Sequence, residues 1–344
     1  MTVGKESYMT TSWPRVPEVR CPFPSRANPA IAARMDALIG SWVDELGLFG
    51  GQRGEFDRFR FGTFAALVHP DAPDDERLLV EAKMITAMFG ADDHYCDEDV
   101  DGAVPSLAAS RLALIQAAIE DPECLQDRTG QVETHIRSDP VLRAFRGLFH
   151  QVRQYGSPAQ VGRVRREVVT TLFAMSGENG WRTSGTYPPA WEYGTMRPYN
   201  GALPCLAVID IVGGFELPAY EYELGAVRQL TITASALIML VNDLYSAAKE
   251  SATQVGSYSY VNVLLSEGFT LEQSLNKVAA THNEIMEEYL ALAASASTGA
   301  SPELKRWICG LQDWIRGNLD WHQISGRYHA RVDRPTVDPL SELR

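Results

Sequence analysis

Two stretches carry side chains whose types and spacing could do metal chemistry. In NDLYSAAKE, residues 242–250, Asn242, Ser246 and Glu250 recur every four residues, directly after the apolar run ALIMLV. On a helix each step of four turns by about 40°, so the three share one face over roughly 12 Å. A carbonyl, a hydroxyl and a carboxylate are hard oxygen donors, which suit Mg²⁺ or Mn²⁺ better than zinc or copper. A polar surface stripe is the competing reading. The second stretch is DDHYCDEDVDG, residues 92–102, with six acids between Asp92 and Asp101. Such a cluster repels itself unless it is solvated or bridged by cations. It is not an EF-hand loop, because Ala108 stands where that loop needs its last carboxylate. An exposed acidic turn remains open, but the preceding LLVEAKMITAMFGA has an apolar helical face, so Asp92 and Asp93 emerge from the end of a core helix. Phe89, three residues earlier, faces the same side as Asp92. Two donor-bearing helices facing each other across a bundle build multi-metal sites.

The elements that must position these residues are helical. Asn28-Pro29, Ser157-Pro158 and Ser301-Pro302-Glu303 read as caps followed by first-turn prolines. Periodic stretches cover roughly 28–48, 75–97, 104–120, 139–155, 158–177, 202–214, 226–250, 270–294 and 302–328. No alternating pattern with hairpin turns appears, so an all-α fold is expected. Residues 1–27, with four prolines, read as an extended arm; 28–330 form one large domain; 331–344 form a flexible tail. Across 344 residues the net charge is −13, and no run of Lys or Arg tracks a phosphate backbone, so nucleic acid is not the expected partner. The first residues lack the apolar core of a signal peptide, and apolar runs of about a dozen residues are too short to span a bilayer. Five scattered cysteines form no C-x-x-C pair. These features point to a cytoplasmic protein without a membrane span.

The motifs together resemble those of the class I terpene synthases of the bacterial type, over the stretch from Asn28 to Tyr328. DDHYCDE matches the family's Asp-rich motif and NDLYSAAKE its second metal motif. MRPYNG at 196–201 matches the diphosphate-sensing region, with Arg197 as sensor, Asn200 as linker and Gly201 as effector; Arg197 precedes Asn242 by 45 residues. Arg327-Tyr328 matches the C-terminal Arg-Tyr motif, six residues after Trp321. The resemblance implies the class I terpenoid synthase fold, a single antiparallel helical bundle around a central cavity. It implies three Mg²⁺ ions, with Mn²⁺ as a substitute: Asp92 bridging two, and Asn242, Ser246 and Glu250 holding the third. Asp93, Asp97 and Glu98 would stand behind Asp92 and pair with arginines. Arg197, Asn242, Lys249, Arg327 and Tyr328 would bind the diphosphate of an isoprenoid substrate, and the family admits a homodimer. Within the family, DDHYCDE, NDLYSAAKE, YPPAWEY and IDIVGGFELP are most similar to synthases that cyclise 2-methylgeranyl diphosphate, a C11 substrate, to bornane-type products. The absence of a long Pro-rich extension tilts that comparison toward 2-methylenebornane rather than 2-methylisoborneol as product.

A carbocation needs a dry, non-nucleophilic cavity, and aromatic faces stabilise it without trapping it. Trp307, Trp314, Trp321 and Tyr328 recur every seven residues. Trp321, then Phe89, Phe173 and Tyr187, are the expected cavity aromatics, while Trp307 reads as plain core. His322 beside Trp321 is given no role as a base. Competing readings are a chain-elongating prenyltransferase, disfavoured because its Asp-rich motif would occur twice, a cyclase of geranyl or farnesyl diphosphate, and a non-catalytic isoprenoid-binding protein.

Overall fold

Four long helices begin in the same way. Asn28, Asp139, Ser157 and Ser301 each cap a helix whose first residue is proline. Proline has no N–H to lose there, and the cap side chain satisfies the next orphan donors. Asn28 accepts from the N–H groups of Ala30 and Ile31 at 3.2 and 3.3 Å, and Asp139 from those of Val141 and Leu142 at 2.8 and 3.1 Å. Ser157 and Gln160 close a reciprocal capping box.

A computed structural model of the chain describes residues 15–96, 105–125, 129–251 and 258–328. The helices are α1 (Pro29–Leu46), α2 (Arg53–Phe59), α3 (Phe61–Val68), α4 (Asp75–Ala91), α5 (Pro105–Ile119), α6 (Gln131–Ser138), α7 (Pro140–Tyr155), α8 (Pro158–Ser184), α9 (Ala190–Met196), α10 (Leu203–Leu206), α11 (Ile209–Val212), α12 (Ala219–Tyr222), α13 (Gly225–Ser251), α14 (Tyr260–Ser266), α15 (Leu271–Ser297) and α16 (Pro302–Ile324). Among the described residues there is no strand, and the fold is all-α. A π-helical turn, Asp92–Cys96, carries α4 onward, and a 3₁₀ turn, Arg197–Tyr199, follows α9. Such turns depart from regular helix where side chains must be re-aimed.

Helix α3 sits at the centre, packed between α1, α4 and α16, and all eight of its residues are buried. Helix α13 packs against α15 and α16, α4 against α7, and α5 against α8. The stretch Gly225–Ala247 of α13 is long and apolar enough, by composition, to cross a membrane, although the sequence is expected to hold apolar runs of only about a dozen residues. Its most apolar window is 72% buried inside the protein, so its apolarity is accounted for by packing. The described part of the arm, from Arg15 onward, runs without helix across the bundle. The Arg20 N–H donates to Asn283 Oδ1 at 2.7 Å, and Arg26 pairs with Asp71 and Asp313 at 2.8 and 2.6 Å.

Candidate active site

The last residues of α4 and the middle of α13 face one cavity of about 180 Å³. Asp92 reaches it from the end of α4, and Asn242 and Ser246 from α13. Glu250 and Lys249 lie on the described part of α13, but their side chains, like Asp97 and Glu98 altogether, fall outside the described residues. Among those that are described, no three His, Cys, Asp or Glu converge. The convergent oxygen donors are a carboxylate, a carboxamide and a hydroxyl, a set that fits a hard cation and not a soft one.

Around these donors the cationic side chains are already engaged. Arg327 grips Asp93 with both guanidinium arms, at 2.8 and 2.5 Å, and lies 4.6 Å from the ring centre of Phe89 and 5.2 Å from that of Phe59. Burial works against the Arg327 charge, but Asp93, Tyr328 and Asp92 together hold its pKa above the ordinary value. Arg197, at the end of α9, donates to Asp243 Oδ1 from Nε at 3.0 Å and from Nη2 at 2.7 Å. It also reaches Asn242 Oδ1 at 2.8 Å and the Asn200 carbonyl at 3.1 Å. Here too burial opposes the charge and the neighbouring Asp243 carboxylate leads the groups that outweigh it. Asn242 donates onward to the Tyr328 hydroxyl at 2.8 Å, so the 242–250 stretch, Arg197 and the Arg327-Tyr328 pair are linked through one amide.

Gly201 borders the same cavity with φ +147°, a conformation that L side chains rarely adopt. A β-carbon there would stand 2.6 Å from Met239 Sδ. Asn200 donates to Glu178, which in turn accepts from Arg182 at 2.9 Å, and Arg182 donates to the Cys96 carbonyl at 3.1 Å in the π-turn after Asp92. Glu178, Arg182 and Asp243 were not singled out from the sequence. Glu178 and Arg182, opposite charges four apart on α8, carried the one legible signal.

The opposite wall is apolar. Phe64, Ile85, Met88, Met175, Ile238 and Met239 line it, with Phe89, Trp314 and Trp321. Phe64 stacks on Trp321 at 4.2 Å with the rings 3° apart, and the Trp321 indole N–H donates to the Phe59 carbonyl at 2.8 Å. Two expected aromatics are elsewhere. Phe173 points outward from α8 and is 82% exposed, because it lies on the face of α8 opposite the buried stripe Val168, Leu172 and Met175. Tyr187, 38% exposed, packs against Tyr258 at 5.0 Å and does not line the cavity. Trp307 is buried against Tyr222, away from the cavity. His322 does line it; Nδ1 donates to the Asn318 carbonyl at 2.8 Å, and the ring stacks on Tyr328 at 4.8 Å.

Residues 83–288 match the family described as terpene synthase family 2, C-terminal metal binding. The chain belongs to the terpene synthase family. It is a class I terpene cyclase, a lyase. The cyclase is 31% identical to the 2-methylisoborneol synthase of Saccharopolyspora erythraea over 317 residues, 90% of this chain and 89% of that protein. It is 28% identical to the spiroviolene synthase of Streptomyces violens, over 97% of this chain and 90% of that one. Among solved structures, the 2-methylisoborneol synthase of Streptomyces coelicolor A3(2), in complex with Mg²⁺ and 2-fluoroneryl diphosphate, superposes with a TM-score of 0.86 at 27% identity, covering 93% of the cyclase and 99% of that chain.

Proposed function

We propose that this cyclase uses Mg²⁺ to ionise 2-methylgeranyl diphosphate and closes the resulting cation to a bornane-type C11 product, 2-methylenebornane. What carries this reading is one cavity with oxygen donors and arginines at one end and aromatic and sulfur-bearing walls at the other. Bound Mg²⁺ would stabilise charge on the departing diphosphate oxygens. Three ions are proposed, with Mn²⁺ able to replace them: Asp92 would hold two, and Asn242, Ser246 and Glu250 the third. Asp93, Asp97 and Glu98 would support Asp92 from behind.

The remaining work belongs to the chain's own groups. Arg197 and Arg327 would take the diphosphate by two-pronged hydrogen bonds, with Asn242, Lys249 and Tyr328 as further donors. Asn200 and Gly201 would transmit the sensor's movement to the substrate. Phe89 and Trp321, whose faces border the cavity, would stabilise the cation and keep water away. The cavity of about 180 Å³ is small beside the roughly 300–1,000 Å³ of common ligand pockets, which suits a C10 or C11 chain better than farnesyl. Proton loss from the added methyl group would end the reaction as 2-methylenebornane, a step favoured by the apolar wall. Capture by water, giving 2-methylisoborneol, is the second reading, supported by the name of the relative from Saccharopolyspora erythraea.

The test is incubation with geranyl, 2-methylgeranyl and farnesyl diphosphates and Mg²⁺, followed by mass spectrometry of the volatiles. One methyl changes specificity by about 10- to 200-fold, so a preference of that size for the C11 substrate and a bicyclic hydrocarbon product are expected. A farnesyl preference refutes the substrate assignment, and a bicyclic alcohol selects the second reading. Asp92→Asn and Ser246→Ala should each depress turnover while leaving helicity intact.

A further inference from the structure

The cavity has a mouth and a closed end. On α4, Asp92, Met88 and Ile85 border it in turn, and Ile85 stands seven residues, or about 10 Å, below Asp92. On α16, Trp321 packs against Tyr328 at the mouth, with ring centres 5.6 Å apart, and Trp314 lies two turns, again about 10 Å, deeper. The next residues along the same stripes, Glu81 on α4 and Leu311 and Trp307 on α16, are buried and do not border the cavity. Both helices therefore set the closed end at one level, and the large ring at that level is Trp314. Its surroundings hold it still. The Trp314 indole N–H donates to His69 Nε2, at the end of α3, at 3.3 Å, and Glu81 Oε2 lies 2.8 Å from the same nitrogen. The Cys205 thiol, which also borders the cavity, meets the Glu81 carboxyl group. Phe64 abuts the Trp314 ring edge to face at 5.2 Å. A buried indole N–H needs a partner, and this one ties the polar edge of the ring to the cluster behind the wall while its carbon surface borders the cavity.

We propose that Trp314 is the floor that sets the length of isoprenoid chain this cyclase accepts. The inference rests on the cyclase reading given above and deepens its substrate assignment. With diphosphate held among Asp92, Arg197 and Arg327 at the mouth, the hydrocarbon tail runs down the apolar wall toward the closed end. A chain five carbons longer than geranyl would need the volume that the Trp314 ring fills. Close-packed interiors do not yield that volume cheaply, and a ring fixed by His69 and Phe64 yields it least. Ile85 and Cys205 border the same level but are much smaller, so truncating Trp314 opens the most space there. That space opens in the direction in which a longer tail would extend.

Calorimetry with Mg²⁺ and two unreactive analogues, geranyl-S-thiolodiphosphate and its farnesyl counterpart, reads the floor without requiring turnover. The wild type should bind the geranyl analogue more tightly by roughly tenfold or more. Trp314→Ala should move that ratio toward farnesyl by roughly 100-fold, a shift within the range that one methylene commands in an apolar pocket. Trp314→Leu, which keeps an apolar side chain over His69 and disturbs the fold less, should move it the same way by about tenfold. In turnover, both variants should gain on farnesyl diphosphate relative to 2-methylgeranyl diphosphate. A ratio unchanged in the folded variants, or both analogues weakened alike, overturns the proposal, because a residue that only holds the fold weakens every ligand together. Equal binding of the two analogues by the wild type overturns it even if neither variant folds. A wild type that consumes none of the three diphosphates defeats the cyclase reading, while the analogue ratios still decide whether Trp314 sets chain length.

Discussion

Replacing Asp93 by asparagine should reveal how the empty site tolerates its own arginine. The side chains of Arg327 and Asp93 are only 5% and 13% exposed, and two short hydrogen bonds join them. Solvent therefore screens the pair little. An asparagine could still accept one hydrogen bond, but it would leave the guanidinium charge buried over Phe59 and Phe89 without the carboxylate bonded to it, with only the field of Asp92 in its place. Breaking a buried pair from one side costs about 3–5 kcal/mol. With an unfolding entropy near 2.1 cal/mol/K per residue, a chain of this length should lose about 4–7 °C in Tm. Differential scanning calorimetry reads that shift. Adding Mg²⁺ and diphosphate supplies Arg327 with a new anion, so the ligand-induced rise in Tm should be larger in Asp93→Asn than in wild type. The double replacement Asp93→Leu with Arg327→Met should recover much of the apo stability while abolishing turnover, because an apolar pair leaves no charge unpaired. A melting point within about 1 °C of wild type would refute the reasoning, because it would leave the pair without a measurable share of the protein's stability.

Gly201→Ala should cost about 1–3 kcal/mol, because φ there is +147° and the new β-carbon would press on Met239; adding Met239→Ala should restore only part of it, as urea titration would show. Phe173→Ser should change stability by less than about 0.5 kcal/mol and leave the product profile alone, whereas Trp321→Ala should cost about 3–5 kcal/mol and alter the products. His282 is pushed down to about 4 by burial, so between its ordinary value and that pKa the unfolded chain binds the proton and the folded one does not. Its contribution is complete above the ordinary histidine range and is lost as pH falls from there toward 4, by about 3 kcal/mol in all; His282→Gln should flatten that part of the stability–pH curve.

The long amphipathic helices were legible because their caps and their apolar period agreed. Residues 29–46 and 302–324 start where Asn28 and Ser301 placed them, and 75–91 and 140–155 lie within the periodic stretches 75–97 and 139–155. Helix α3 was not legible, because FGTFAALV is apolar on every side and has no period to read. With it went Phe64, the residue stacked on Trp321. Helix α8 runs past 177 to Ser184, since Gly177 and Gly180 are tolerated within it, and the extension carries Glu178 and Arg182 to the cavity. Conversely, 202–214 is two single-turn helices, α10 and α11, rather than one. The oxygen donors and arginines were legible because their chemistry dictates residue type at a fixed spacing. The aromatic wall was less so, since any large ring satisfies a cavity and only the packing angle of each helix decides which ring faces inward. Phe173 has the right chemistry on the wrong face of α8, and Tyr187 lies in the non-helical connection between α8 and α9.

The pairing of the cations bears on how a chain of net charge −13 would hold the proposed diphosphate. Buried arginines without counterions would destabilise the empty cavity, so each has one: Asp243 for Arg197, Asp93 for Arg327 and Glu178 for Arg182. A bare diphosphate could recruit Arg197 and Arg327 only by stripping them from Asp243 and Asp93, leaving two buried carboxylates unpaired. Divalent cations bound with it, as proposed, would change the sign of that exchange. Asp93 follows Asp92 at the end of α4, and Asp243 follows Asn242 on α13, so each carboxylate released lies beside a proposed metal ligand and within the field of the incoming ions. If diphosphate takes the two arginines as proposed, Asp93 and Asp243 would lie beside the proposed metal ligands, where the positive field of bound cations would offset their lost partners. Such an exchange would favour joint binding of metal and diphosphate over either component alone, and in each motif the arginine's partner, Asp93 or Asp243, directly follows a proposed metal ligand, Asp92 or Asn242.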